Sequence, residues 1–273
     1  MKPALTLVIT LVLGAIACAG PEQIESKDFK QPVVVPEACP IDWTGFYVGL
    51  HVGYGWGNAD THFQGLPPDQ FGALVPITLD PEPDGIFGGG QAGYNRQFGK
   101  FVVGVEADIS ASDIDGSTTQ GPIIGLFGST PNSELFTHED IEWFGTLRAR
   151  FGFTPCCRLL LYVTGGLAYG QVDYAGDTRF VVGGGFPNGT SGTPGAILSY
   201  ASSFEEFEFG WTGGGGAQFA LNKRWSVKLE YLFVDLGDES ATANPSFSNP
   251  PFQVHYNWET QVHTVRAGLD YQF

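Results

Sequence analysis

Phe46-Tyr47-Val48-Gly49-Leu50-His51-Val52-Gly53-Tyr54-Gly55-Trp56 is the stretch that decides the fold. Successive side chains of a strand point to opposite faces. Phe46, Val48, Leu50, Val52, Tyr54 and Trp56 therefore share one side, and Tyr47, Gly49, His51, Gly53 and Gly55 share the other. On a helix the same apolar residues would scatter around the whole circumference. A greasy face opposed by a small or polar one is the pattern of a membrane barrel strand, with lipid outside and lumen inside.

Seven further segments carry the same period: 86–98, 101–111, 141–153, 159–173, 204–221, 225–235 and 254–273. In the third predicted strand Phe101, Val103, Val105, Ala107 and Ile109 oppose Gly104, Glu106, Asp108 and Ser110. In the last, Val265, Ala267, Leu269, Tyr271 and Phe273 oppose Thr264, Arg266, Gly268, Asp270 and Gln272. The connections alternate long (57–85, 112–140, 174–203, 236–253) and short (99–100, 154–158, 222–224). An even strand count with long loops at one end and tight turns at the other is the topology of an eight-stranded antiparallel transmembrane β-barrel. No apolar run reaches the roughly 20 residues of a spanning helix, so a place in a membrane requires a closed barrel.

Composition agrees. The 273 residues include 39 Gly, 22 Phe and 10 Tyr but only 15% charged residues, and so much Gly disfavours helices. The first two long loops hold Asp60, Asp69, Asp80, Glu82, Asp84, Asp113, Asp115, Glu134 and Glu139 without Lys or Arg, whereas the short turns hold Lys100, Arg158, Lys223 and Arg224 without acids. The net charge of −16 is thus largely external, and it argues against a nucleic-acid partner.

Lys2, the apolar run Leu5–Ala17 and the small residues Ala15, Ala17 and Ala19 read as a signal peptide over 1–19, cut after Ala17 or Ala19. Cys18 leaves lipidation open. Residues 20–42, with Pro21, Pro32, Pro36 and Pro40, form a polar leader on the periplasmic side, and the barrel occupies 43–273.

Trp43-Thr44-Gly45-Phe46-Tyr47-Val48-Gly49, Gly89-Gly90-Gln91-Ala92-Gly93-Tyr94-Asn95, Thr164-Gly165-Gly166-Leu167-Ala168-Tyr169-Gly170 and Lys228-Leu229-Glu230-Tyr231 occur in that order. These segments resemble the "porin family" of small Gram-negative outer-membrane barrels, similar to the OmpA membrane domain and the opacity proteins. The resemblance implies an outer-membrane location and a role at the surface or in envelope integrity. It also implies partners: outer-membrane lipid and lipopolysaccharide, and the barrel-assembly machinery, which reads a closing strand ending as Tyr271 and Phe273 do. It names no surface ligand, and nothing in it calls for a cofactor or metal.

Several constellations bear on function. Glu106 and Asp108 should face Arg148 and Arg150, and Glu230 should face Arg266 with Lys228 nearby, all inward. Because an eight-stranded barrel is just wide enough for side chains to fill, these charges are expected to pair and close the lumen; a narrow gated ion path is the alternative. Glu206 and Glu208 also point inward near the external mouth. Cys39, Cys156 and Cys157 lie on the periplasmic side, where Cys39 could bridge to either of the adjacent pair; a vicinal bridge and free thiols remain open. Gly88-x-Gly90-x-x-Gly93 matches a dinucleotide fingerprint as a string, but no helix follows to hold a phosphate. His51, His255 and His263 have no convincing Ser partner, so catalysis is not expected. The sequence thus reads as a non-enzymatic envelope and surface protein, with a small passive pore as the alternative.

Overall fold

In the computed structural model of the protein the described residues are 41–66, 77–121, 134–181, 197–244 and 253–273. They form β1 (Gly45–Leu66), β2 (Ile77–Leu79), β3 (Asp84–Phe98), β4 (Phe101–Gln120), β5 (Glu134–Cys156), β6 (Leu159–Val181), β7 (Ile197–Ala220), β8 (Trp225–Ala243) and β9 (Gln253–Gln272). The eight long strands pair with their neighbours in chain order, and β1 pairs with β9 from Tyr47↔Gln272 to Leu66↔Gln253, closing an antiparallel barrel. The short β2 folds back on the far end of β1 through Thr61↔Leu79.

β9 shows what organises the wall. In its lower part Leu269 points outward and is exposed, while Asp270 and Arg266 point inward and are buried. In its upper part Val254, Tyr256, Trp258 and Val262 are buried inside, and His255, Asn257, Glu259 and Gln261 alternate with them on the outer face. The same exchange occurs on β1, where outward Leu50 is 72% exposed and inward Phe63 is 3% exposed. The outward apolar band from Phe46 to Trp56 has the length of about 9–11 residues that a tilted strand needs to cross the hydrocarbon core. Above the band the strands continue into water, and the apolar face turns inward as in a soluble protein.

This corrects the strand ends read from the sequence. Residues 57–66, 112–120, 134–140, 174–181, 197–203 and 236–243, expected as loops, are strand. Alternation with apolar residues outward stops at the outer edge of the lipid, but hydrogen-bonded pairing does not. Bulges at Ile141/Trp143 and Asp235/Gly237 lie at this boundary, and they shift the inward phase of β5 and β8 from even to odd numbers. The tight turns lie at the other end, with Gly99 at φ +63° where a side chain would be strained. Just above them Ile41, Trp43, Val102, Leu160, Tyr162 and Ala220 form an apolar cluster. Trp43, where the sequence reading starts the barrel, precedes β1 and is buried in this cluster.

Candidate functional site: a filled lumen

Closely packed glycines let the large polar side chains fit. A Cβ at Gly93 would strike the Tyr47 ring, and one at Gly216 would lie 2.8 Å from the Tyr162 hydroxyl. The space so left holds a cluster in which Glu106, Arg148, Glu230 and Arg266 are each no more than 1% exposed.

Arg148 is its hub. Its Nη1 donates to Glu230 Oε1 at 3.0 Å, its Nη2 to Asp108 Oδ2 at 2.9 Å and to Glu106 Oε1, and its Nε to Thr146 Oγ1 at 2.8 Å. Arg266 reaches Asp108 Oδ2 at 3.0 Å and Glu230 Oε2 at 2.5 Å. Lys228 Nζ straddles the Glu106 carboxylate at 2.9 and 3.0 Å. Arg150 donates to Glu106 Oε2 at 3.0 Å, to Tyr47 OH at 2.6 Å and to Gln218 Oε1 at 3.0 Å, with its guanidinium 3.9 Å from the centre of the Tyr162 ring. The seven residues singled out from the sequence are therefore brought together, across the lumen as well as between neighbouring strands.

Sequence reasoning left Asp270 out of this group. It accepts from Gln91 at 2.5 Å and Gln218 at 2.9 Å. With it, the carboxylates Glu106, Asp108, Glu230 and Asp270 match the cations Arg148, Arg150, Lys228 and Arg266 in number. The inward phase of the last strand already marked Asp270; what the sequence lacked was a partner directly across from it. His51 continues the network, bonding Gln91 Oε1 at 2.9 Å and Ser110 Oγ at 2.8 Å. Charges so buried persist only when paired and hydrogen-bonded.

Above the ion cluster the filling is apolar and aromatic. Trp258 stacks on Tyr256 with ring centroids 5.4 Å apart and donates to Thr137 Oγ1 at 3.1 Å. Tyr174 packs against Trp258 and Phe204 and bonds Thr260 Oγ1 at 2.9 Å. Ile141, Phe144, Val234, Leu236 and Val262 belong to the same core.

Carboxylates also reach this layer. Glu139, beyond the lipid-facing band on β5, is fully buried, and neither carboxylate oxygen has a hydrogen-bond partner. Burial pushes its carboxyl up to about 7; the nearby Thr260 hydroxyl softens the effect and the Glu208 carboxylate reinforces it. Glu208 is buried on β7, and Glu206 is exposed.

The remaining candidates are dispersed. His263 points outward, between Trp56 and Tyr231, whose hydroxyl lies 2.7 Å from its Nδ1. His255 meets Thr242 at 3.1 Å. Tyr271 and Phe273 pack edge to face on the outer wall, and Phe273 N donates to Phe46 O at 3.0 Å. Cys157 is disulfide-bonded and Cys156 is free, so the adjacent pair is not bridged to itself. Cys18 and Cys39 lie outside the described residues. The Gly88–Gly93 string lies within β3 and opens no helix.

The chain matches the family described as "Outer membrane protein beta-barrel domain" over residues 35–273. It is 36% identical over 242 residues to the "31 kDa outer-membrane immunogenic protein" of Brucella melitensis, covering 87% of this chain and 88% of the relative. It is 26% identical to the "25 kDa outer-membrane immunogenic protein" of Brucella canis over the whole of both chains. Among solved structures, OprG of Pseudomonas aeruginosa aligns over 84% of this chain and 96% of its own, at 14% identity and a TM-score of 0.48. The chain thus belongs to the outer membrane protein β-barrel domain family, and it is an outer-membrane β-barrel protein.

Proposed function

We propose that this protein is a non-conducting, non-catalytic barrel that contributes to envelope integrity and exposes its outer strands and loops for surface interactions. The observation that carries this reading is the continuous filling of the lumen: an apolar cluster at the turn end, a charge-balanced cluster above it and an aromatic core toward the outside. No ion can follow that path without breaking buried pairs. The relatives' names as immunogenic outer-membrane proteins support surface exposure. Lipid and lipopolysaccharide would contact the outward band, and the assembly machinery would read Tyr271 and Phe273.

Single-channel recording on the refolded protein in planar bilayers tests the proposal. Silence is expected. Steady unitary conductance would overturn it in favour of a small passive pore.

A further inference from the structure

On the lipid-facing wall near the turn end lies a furrow of about 310 Å³. Register explains it. Val48, Ala92, Ala107 and Leu147 lie side by side across β1, β3, β4 and β5, all outward, and the middle two are small. Nearer the turns, Phe46 and Tyr94 pack with ring centroids 4.8 Å apart and wall the furrow. On the other side of the row Gly90 continues the gap, since a Cβ there would meet nothing closer than 3.8 Å.

Charge decides the occupant. Arg96 stands at the foot of the furrow, on the same face of β3 and two residues beyond Tyr94. It is exposed, its guanidinium lies 5.3 Å from the centre of the Phe98 ring, and it has no ion-pair partner among the described residues. Lys100 follows in the turn and is also exposed. From Arg96 to Gly90 is about 20 Å along the strand, at about 3.4 Å per residue. Tilted by about 45°, that is about 14 Å of depth, close to half of a hydrocarbon core about 30 Å thick. The wall thus offers a cation at one interface and an apolar channel one leaflet deep. A second copy of the chain meeting the same face about a two-fold axis would set Arg96 against Arg96. A molecule with an anionic head and an apolar tail matches both features.

We propose that this furrow is a docking site for an anionic glycerophospholipid of the periplasmic leaflet. One acyl chain lies over Ala92 and Ala107, between the Phe46–Tyr94 pair and Leu147, and the phosphate meets Arg96. The proposal gives a chemical class to the lipid contact proposed above and rests on that reading, but not on the lumen being closed.

The test titrates the refolded full chain, in detergent micelles, with dioleoylphosphatidylglycerol and counts retained lipid by native mass spectrometry. A saturable adduct is expected, held more tightly than dioleoylphosphatidylcholine. Arg96→Gln should weaken it about fivefold, the worth of one cation at an anionic headgroup, and Arg96→Lys should restore it. Ala92→Leu/Ala107→Leu fills the furrow from outward positions and should weaken it about tenfold or more. Ala267→Leu on the outer face of β9 and Lys223→Gln in another turn should leave it unchanged. The inference is overturned by the absence of a saturable adduct, by equal affinity for phosphatidylcholine, by equal losses in the two control variants, or by a protein dimer in place of the adduct. Bilayer conductance is independent of all four results, so the lipid site and the sealed barrel fail separately.

Discussion

Within the lipid-facing band the wall shows Leu50, Val163 and Leu229 to lipid and keeps Glu106, Arg148 and Arg266 inside. Above it, Glu259 and Gln261 face water, and Trp258, Tyr256 and Leu135 fill the interior. One set of strands runs through both regions, so backbone pairing does not explain the difference. The surroundings do. Where lipid takes the apolar residues, the interior is left to polar groups, which are stable only as a mutually satisfied set. Where water surrounds the barrel, burial of apolar surface supplies the stability at about 25 cal/mol per Å². The lower region should therefore be sensitive to the loss of a single charge, and the upper to the loss of volume.

Arg148→Met gives the largest expected break. It leaves Glu106, Asp108 and Glu230 short of a counter-charge, and it should cost about 3–5 kcal/mol, the penalty for removing one partner of a buried pair. Denaturant unfolding in micelles measures it; a loss under 1 kcal/mol would show that the cluster is not tightly coupled.

Trp258→Ala follows, at about 3 kcal/mol for a large aromatic residue removed from a packed core. The loss should fall on the upper region. Proteolysis should then open the outer strands while the lipid-embedded band stays intact, and simultaneous loss of both would contradict two separately stabilised halves.

Glu139 gives an effect that appears only as pH rises, and with it the sharpest distinction. Its folded pKa of about 7 lies above the unfolded value of 4.5, so the folded chain holds a proton that the unfolded chain releases. Stability from this group is full below about 4.5 and is lost as pH rises through about 7, by up to about 3 kcal/mol. Glu139→Gln should flatten that dependence, stabilising the barrel at pH 8 and leaving it unchanged at pH 4. A variant that kept the slope would assign it to another group.

The difference between the halves also explains what the sequence revealed. Lipid imposes an outward apolar phase, so Phe46 to Trp56 and Val265 to Phe273 declared both their strands and their inward charges. Given that phase, Glu106 opposite Arg148 and Glu230 opposite Arg266 followed from register alone. Above the lipid-facing band the outward positions become polar, and bulges in β5 and β8 move the inward set by one residue. Phe63, Leu135 and Tyr174 then read as loop residues, although they build the outer core. Glu139 was counted as a loop charge because nothing local marks a lone carboxylate as buried.

The pairing of β1 with β9 carries a kinetic consequence. Tyr47 finds its neighbour at Gln272, on the other side of six intervening long strands. Contacts so distant along the chain are entropically costly to form first and slow to nucleate. The seam cannot seal until the final strand has left the ribosome and crossed the inner membrane. Until then each half-built sheet presents raw edges that only the last strand can cover.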